Sequence, residues 1–431
     1  MSINLADYAE LLEDLTPHTR DALNAAWHEA TKVFSPRGLD NYLKGVSAIR
    51  GLGRGDSLVE TWIENAPMVA KEVGEDVVAD LATASLMLAS KTSGAVIELL
   101  LASAPTAANR LGDAELFLKY LQFVNTLLAQ APRGVRPMLD KLEVLFQHLT
   151  LGGLRRWALW GAHAHRTNYE EQIKYFGLES KESLAMLQKE RKGTLLVDVQ
   201  RRINMYLRAL WARDFFMRPT SGDFESREGY RPYIEDYLLH VPDAFDDFII
   251  PVGCAVRTEL GETVRTAHPT EERVSGLELY RATAAHCAAH VVETRQPISA
   301  EALNPLQMAV ISVIEDARVE ALAIRRFPGL KQLWSKLHVA TPEMSASVGD
   351  YLNRLARALL DETYADSDPW IAEGRALFAQ AAQDNQTNKL DNNHTSWEIG
   401  VQLAHSIAAK KIAFNPRTDI LRAPYRDDTR Y

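Results

Sequence analysis

The chain has 431 residues, of which 46% are hydrophobic and 24% are charged, a composition typical of a globular protein with two or three domains. Its net charge of −9 argues against a nucleic-acid-binding protein that depends on overall positive charge. Two cysteines, no basic and apolar leader, and no apolar run long enough to cross a membrane predict a cytoplasmic chain without a disulfide framework.

Residues 1–175 are predicted to form one helix after another, because apolar residues recur at three- and four-residue spacing. Pro67 and Gly74 recur about 40 residues later as Pro105 and Gly112, a period that indicates stacked helical pairs. We therefore expect HEAT- or armadillo-like repeats here. Chance similarity in a chain rich in leucine and alanine is the alternative.

Residues 176–345 are predicted to form a mixed, mostly helical middle domain. Two segments in it have the apolar and β-branched content of short strands, residues 193–199 and residues 237–241. Residues 346–431 are predicted to be helical again, with a polar interruption between residues 383 and 396. The expected fold class is therefore mainly α, with a smaller α+β part in the middle.

The middle domain carries two histidines four residues apart, His286 and His290. This spacing places both on one helix face, as in the H-E-x-x-H zinc peptidases, and Glu315 could supply a third ligand. Cys287 replaces the glutamate that acts as general base in those enzymes. We therefore expect a degenerate zincin without peptidase activity, bound metal or other cofactor. The alternatives are a zinc-dependent hydrolase and a pair of histidines packed in an alanine-rich core.

A second candidate feature is the run from Glu315 to Glu320, which has apolar residues on both sides. Buried charges are costly unless they are paired. We therefore expect Glu315, Asp316 and Arg318 to form buried structural ion pairs. Solvent-exposed pairs along a helix are the alternative interpretation.

Two clusters of arginine and aromatic residues are candidates for partner binding, because these residue types are enriched in interfaces. One lies between residues 155 and 160, and the other between residues 201 and 218. RNA binding and internal ion pairing are the alternatives. The candidate residues are Arg155, Arg156, Trp157, Arg208, Trp211 and Arg213.

Several motifs of the middle domain resemble the NorD/CbbO family. They are His286-Cys-Ala-Ala-His290, Leu303-Asn-Pro305, Ile314-Glu-Asp-Ala-Arg-Val-Glu320 and Arg325-Arg-Phe-Pro-Gly-Leu330. The third is also similar to a motif of CobT-type cobaltochelatase subunits. The resemblance covers residues 275–335 well and the rest loosely, and it is strongest to the CbbO branch.

The resemblance implies a non-catalytic adaptor that docks on a hexameric AAA+ ATPase of the MoxR type. In the CbbO branch the target is Rubisco, from which inhibitory sugar phosphates are removed, and in the NorD branch it is nitric oxide reductase. Both branches bind their targets through a C-terminal von Willebrand A domain with a D-x-S-x-S motif. Residues 366–369 lack the second serine of that motif, so we expect the target-binding domain to lie outside this sequence.

Overall fold

The computed structural model shows a mainly α fold, as the sequence predicts. It describes residues 5–191, 193–220, 231–250, 272–296, 298–344, 347–383 and 389–426, so that Cys254 lies outside the described residues. Contacts between residues divide the chain into two compact units, one up to residue 191 and one from residue 193 onward. The predicted boundary near residue 175 therefore falls inside the first unit.

The described elements of the first unit are all helical, as predicted for residues 1–175. After a 3-10 helix at Leu5–Leu12 they are α1 (Pro17–Val33), α2 (Pro36–Gly51), α3 (Asp56–Val73), α4 (Val77–Ala89), α5 (Gly94–Leu111), α6 (Ala114–Gln130), α7 (Val135–Asp140), α8 (Leu142–Phe146), α9 (Leu151–Ala164), α10 (Tyr169–Phe176) and α11 (Lys181–Glu190).

Alternate helices of the first unit stack on one another. Helix α3 packs between α1 and α5, while α4 packs between α2 and α6. The recurring residues occupy equivalent places in this stack. Pro67 lies inside α3 and Pro105 inside α5, and Gly74 and Gly112 end these two helices with positive φ angles, a conformation that glycine adopts without strain. Membership of the HEAT or armadillo class remains a prediction.

The second unit combines helices with short strands. Its described elements are β1 (Thr194–Leu195), α12 (Leu196–Trp211), β2 (Met217–Pro219), β3 (Tyr233–Glu235), β4 (Leu238–Val241), β5 (Ala244–Phe245), β6 (Phe248–Ile250), β7 (Glu272–Val274), α13 (Gly276–Glu293), α14 (Pro305–Arg326), α15 (Gly329–Ser335), α16 (Val348–Leu360), α17 (Pro369–Gln383), a 3-10 helix at Lys389–Asp391, and α18 (His394–Ala408).

The described strands are short and form three small sheets. In the largest, β4 lies between β2, to which it is parallel, and β3, to which it is antiparallel. The strand predicted at residues 237–241 is therefore confirmed. The strand predicted at residues 193–199 is wrong beyond Leu195, because Leu196, Val199 and Ile203 are buried along one face of α12.

Helix α14 is central to the second unit and packs against α13, α16 and α18. The sequence defines the starts of α13 and α14 through capping boxes, Ser275 with Glu278 and Asn304 with Gln307. No helix in the described part of the chain has the length and apolar character that a membrane crossing requires.

The contact between α14 and α18 depends on a glycine. A Cβ atom on Gly400 would lie 2.5 Å from Cγ1 and 2.7 Å from Cα of Ile311. A side chain at this position would therefore force the two helix backbones apart.

We predict that Gly400→Ala lowers the free energy of unfolding by about 1–3 kcal/mol, the usual cost of overpacking a core. Gly329→Ala is the matched control, because a Cβ atom there meets no atom within 4 Å. Denaturant unfolding of both variants measures the difference. Equal stability of the two would show that α14 and α18 do not pack closely at residue 400.

Candidate functional site

The candidate site is a buried charge network built around one face of α14. Four of its charged side chains, Glu315, Asp316, Arg318 and Glu320, are at most 1% exposed. The two histidines of α13 face them and are buried as well, and Arg426 completes the network. Ionised groups in such an interior require partners, because desolvation is costly.

Glu315 and Arg318 form the first part of the network. Nε and Nη2 of Arg318 donate to the two carboxylate oxygens of Glu315 at 2.7 and 2.6 Å. The hydroxyls of Thr294 and Ser396 donate to the same carboxylate, each at 2.7 Å. Burial by itself raises the pKa of Glu315, but the hydrogen bonds and charge of Arg318 outweigh burial and hold this pKa below its usual value.

Arg318 also joins segments that are distant in sequence. Its Nη1 donates to the backbone oxygen of Leu390 at 2.7 Å, and its Nη2 donates to that of Glu293 at 3.0 Å. One guanidinium group therefore connects α14, the end of α13 and the 3-10 helix that precedes α18. Such multiple charge-assisted hydrogen bonds are characteristic of arginine and not of lysine.

Asp316, not Glu315, is the carboxylate that faces the two histidines. Its Oδ1 lies 3.3 Å from Nε2 of His290 and 3.7 Å from Nε2 of His286. Each of these three residues offers one atom that could bind a metal ion, and the three atoms lie within 4.8 Å of one another. The predicted ligand Glu315 is excluded from this group, because Arg318, Thr294 and Ser396 occupy its oxygens.

Glu320 and Arg426 form the remaining part. Nε and Nη2 of Arg426 donate to Glu320 at 3.0 and 2.8 Å, and the Tyr425 hydroxyl donates to Glu320 at 2.8 Å. Burial raises the pKa of Glu320, but the charge of Arg426 and the contact with His286 outweigh burial, and the pKa lies well below its usual range.

His338 is the last member of the network and contacts Tyr425. Burial and the charge of Arg426 lower the pKa of His338 to about 3, so this imidazole is neutral at pH 7. Its Nε2 lies 2.8 Å from the Tyr425 hydroxyl. Because that hydroxyl donates its proton to Glu320, Nε2 of His338 acts as the donor to Tyr425.

The network is suited to holding helices together and poorly suited to hydrolysis. His286, His290 and Asp316 are at most 2% exposed, and Cys287, at the position of the missing base, is fully buried. A thiol at that place cannot act as the carboxylate base that activates water in a zinc peptidase.

The structure corrects the two aromatic residues among the partner-binding candidates. Trp157 is fully buried and stacks on Tyr175 with 5.0 Å between ring centroids. Trp211 is buried against Phe215 and Phe327. Their spacing within α9 and α12 places both on the core face, so neither is available to a partner.

The arginine candidates lie nearer the surface. Arg156 is partly buried in an ion pair with Glu190, with 2.8 Å between Nε and Oε2, and Arg155 is half-buried. Arg208 is exposed with Asp214 3.5 Å away, and Arg213 lies over the ring of Phe215.

Two exposed aromatic residues next to these arginines have the accessibility that the tryptophan candidates lack. Trp160 on α9 is 40% exposed and Phe216 beside β2 is 71% exposed. Trp160 lines a groove of about 810 Å³ together with Arg156, Leu159 and Arg166. Trp160 and Trp157 lie on the same helix, and only the pattern of buried positions along that helix distinguishes them.

Asp366, in the segment that lacks a complete D-x-S-x-S motif, has a structural role. Nε and Nη2 of Arg354 donate to its carboxylate at 2.8 and 2.6 Å, and the Tyr364 hydroxyl donates at 2.9 Å. The side chains of Arg354 and Asp366 are almost completely buried.

The chain matches no family model, no curated protein and no solved structure. Its function is therefore inferred from its own motifs and geometry.

We predict that Arg318→Ala lowers the free energy of unfolding by about 3–5 kcal/mol, because it leaves the Glu315 carboxylate buried without its counter-charge. Arg325→Ala is the matched control, since Arg325 is an exposed arginine of the same helix. Denaturant unfolding measures both. Equal stability of the two variants would place Arg318 outside the interior.

We predict that Asp366→Asn reduces the loss of unfolding free energy that the wild-type chain undergoes as the pH is lowered. Burial raises the pKa of Asp366, but the hydrogen bonds from Arg354, Tyr364 and the backbone of Asp368 outweigh burial and hold this pKa below its usual value. The pair therefore stabilises the fold above the unfolded-state pKa, and this contribution is lost as the pH falls through the folded-state pKa. Denaturant unfolding at several pH values from 7 to about 2 measures the free energy of unfolding of both chains. The difference in favour of the wild-type chain should shrink as the pH falls. Glu301→Gln removes one negative charge from an exposed residue and is the control. It should leave the pH dependence of the unfolding free energy as in the wild-type chain.

Proposed function

We propose that this chain is a non-catalytic, cytoplasmic adaptor that docks on a hexameric MoxR-type AAA+ ATPase and couples it to the remodelling of inhibited Rubisco. The observation that carries the proposal is the placement of the motif residues. The histidines of α13 and the charged run of α14, which carry the resemblance to the NorD/CbbO family, are buried in one network. These motifs thus maintain a scaffold and do not form an open active site.

A scaffold of this kind suits the transmission of mechanical work. An ATPase ring can displace a target only if the connecting protein resists deformation. Fully desolvated ion pairs and close helix packing provide such resistance, since removing one partner is costly. The stacked helices of the first unit add extended surfaces of the type that repeat proteins use for binding.

The groove beside Trp160 is the ring-binding surface that we favour. It combines an exposed tryptophan with Leu159 and with the arginines Arg156 and Arg166. Tryptophan and arginine are the residues that contribute most often to interface hot spots. The acceptor on the ring would therefore present apolar side chains flanked by carboxylates.

We predict that residues 1–431 co-purify with the MoxR-type ATPase and that Trp160→Ala weakens this complex about tenfold or more, the loss expected for a hot-spot tryptophan. Titration of labelled ring measures the Kd. Met87→Ala, at an exposed apolar residue of α4 in the same unit, should leave the Kd unchanged.

Two outcomes would contradict the proposal in different ways. Absence of any complex with the ring would reject the adaptor function. A complex that is unchanged by Trp160→Ala would retain the adaptor function but reject the groove as its docking surface. Activation assays on inhibited Rubisco and on nitric oxide reductase, each with the ATPase present, distinguish the CbbO-type function from the NorD-type alternative.

A further inference from the structure

The buried charge network contains a group of side chains with the chemistry and spacing of a metal site. His286 and His290 project from successive turns of α13, and Asp316 projects from α14. Two atoms that are each about 2.0–2.1 Å from a tetrahedral zinc ion lie about 3.3 Å apart. The distances from Oδ1 of Asp316 to Nε2 of His290 and His286, 3.3 and 3.7 Å, are close to that value. The ligand atoms of all three residues lie within 4.8 Å of one another, so binding would draw the two histidines closer together.

The other ring nitrogen of each histidine lies close to a polar side chain. Nδ1 of His286 lies 3.2 Å from Oε1 of Glu320. Nδ1 of His290 lies 3.3 Å from the Thr294 hydroxyl, which itself donates to Glu315. Metal-bound histidines commonly have their second nitrogen next to a carboxylate, as His286 has Glu320 here, and that neighbour directs the first nitrogen to the metal. Both Nε2 atoms face Asp316 as a result.

The charge balance of the network also favours a cation. Arg318 pairs with Glu315 and Arg426 pairs with Glu320, so the third carboxylate, Asp316, shares Arg426 at 3.4 Å from Oδ2 to Nη1. Neither oxygen of Asp316 accepts a hydrogen bond from the described residues. A buried carboxylate in this state is costly. Oδ1 faces the histidines and Oδ2 faces Arg426, so a metal ion and the guanidinium would use different oxygens.

We propose that His286, His290 and Asp316 bind one zinc ion that fastens α13 to α14 in the interior of the second unit. Two imidazoles and one carboxylate form a donor set that binds zinc in proteins, and imidazole nitrogens favour transition metals over calcium and magnesium. The expectation of no metal rested on the missing base at Cys287, which removes catalysis but not the ligand atoms. The inference is independent of the adaptor proposal.

The first test uses the wild-type chain, purified without a histidine tag from cells grown with zinc. Elemental analysis should find one zinc ion per chain. Prolonged dialysis against a chelator should remove it and lower the Tm, and added zinc should restore both. Cobalt added to the stripped chain should give visible absorption that the metal-free chain lacks. A folded chain that contains only traces of metal and binds neither ion would overturn the proposal and leave Arg426 as the counter-charge of Asp316.

Variants then locate the site. Asp316→Asn retains the shape of the side chain but removes its charge, and it should reduce zinc content to a trace, as should His290→Ala. His405→Ala, at an exposed histidine of α18, should retain full zinc content. Because buried variants can unfold, circular dichroism accompanies each measurement. If the Asp316→Asn chain stays folded with full zinc, or if the His405→Ala chain loses its zinc, the assignment to these three residues is wrong.

Discussion

The pairing of ionised side chains along α14 is the constraint on which the second unit depends. Three carboxylates and one arginine of this helix lie in the interior, where an uncompensated charge costs several kcal/mol. Their partners come from α13, from the segment before α18 and from Arg426 near the end of the described chain. Each partner is useful only when its own segment is in place, so the network makes these distant segments fold together.

This constraint also limits what the site can do. A peptidase needs a metal-bound water, a carboxylate base and access for the substrate. The network offers metal-ligand geometry through His286, His290 and Asp316, but the base position is Cys287 and the site is closed to solvent. A zinc ion in such surroundings would stabilise helix packing. The proposed zinc site and the proposed adaptor function are thus compatible, although neither requires the other.

On the surface of the protein, the helix face on which an aromatic residue lies decides whether that residue is accessible. Trp157 and Trp160 are three residues apart on α9, yet the first is buried in a ring stack and the second is 40% exposed. Arginines beside an exposed ring provide charge and apolar contact together, which is the combination that protein interfaces favour. A docking surface can therefore lie directly next to core residues of similar composition.

The sequence by itself determined the mainly α fold, because apolar spacing and capping residues are local signals. It also indicated that charges flanked by apolar residues from Val310 to Ile324 require buried partners. It left three matters to the tertiary structure. Adjacent carboxylates of α14 point in different directions, so that Glu315 turns to Arg318 while Asp316 turns to the histidines. Leu196 continues into a helix because its periodic apolar face finds a core. The partner of Glu320 is Arg426, which no local pattern identifies, since a contact across such a separation exists only after the chain has folded.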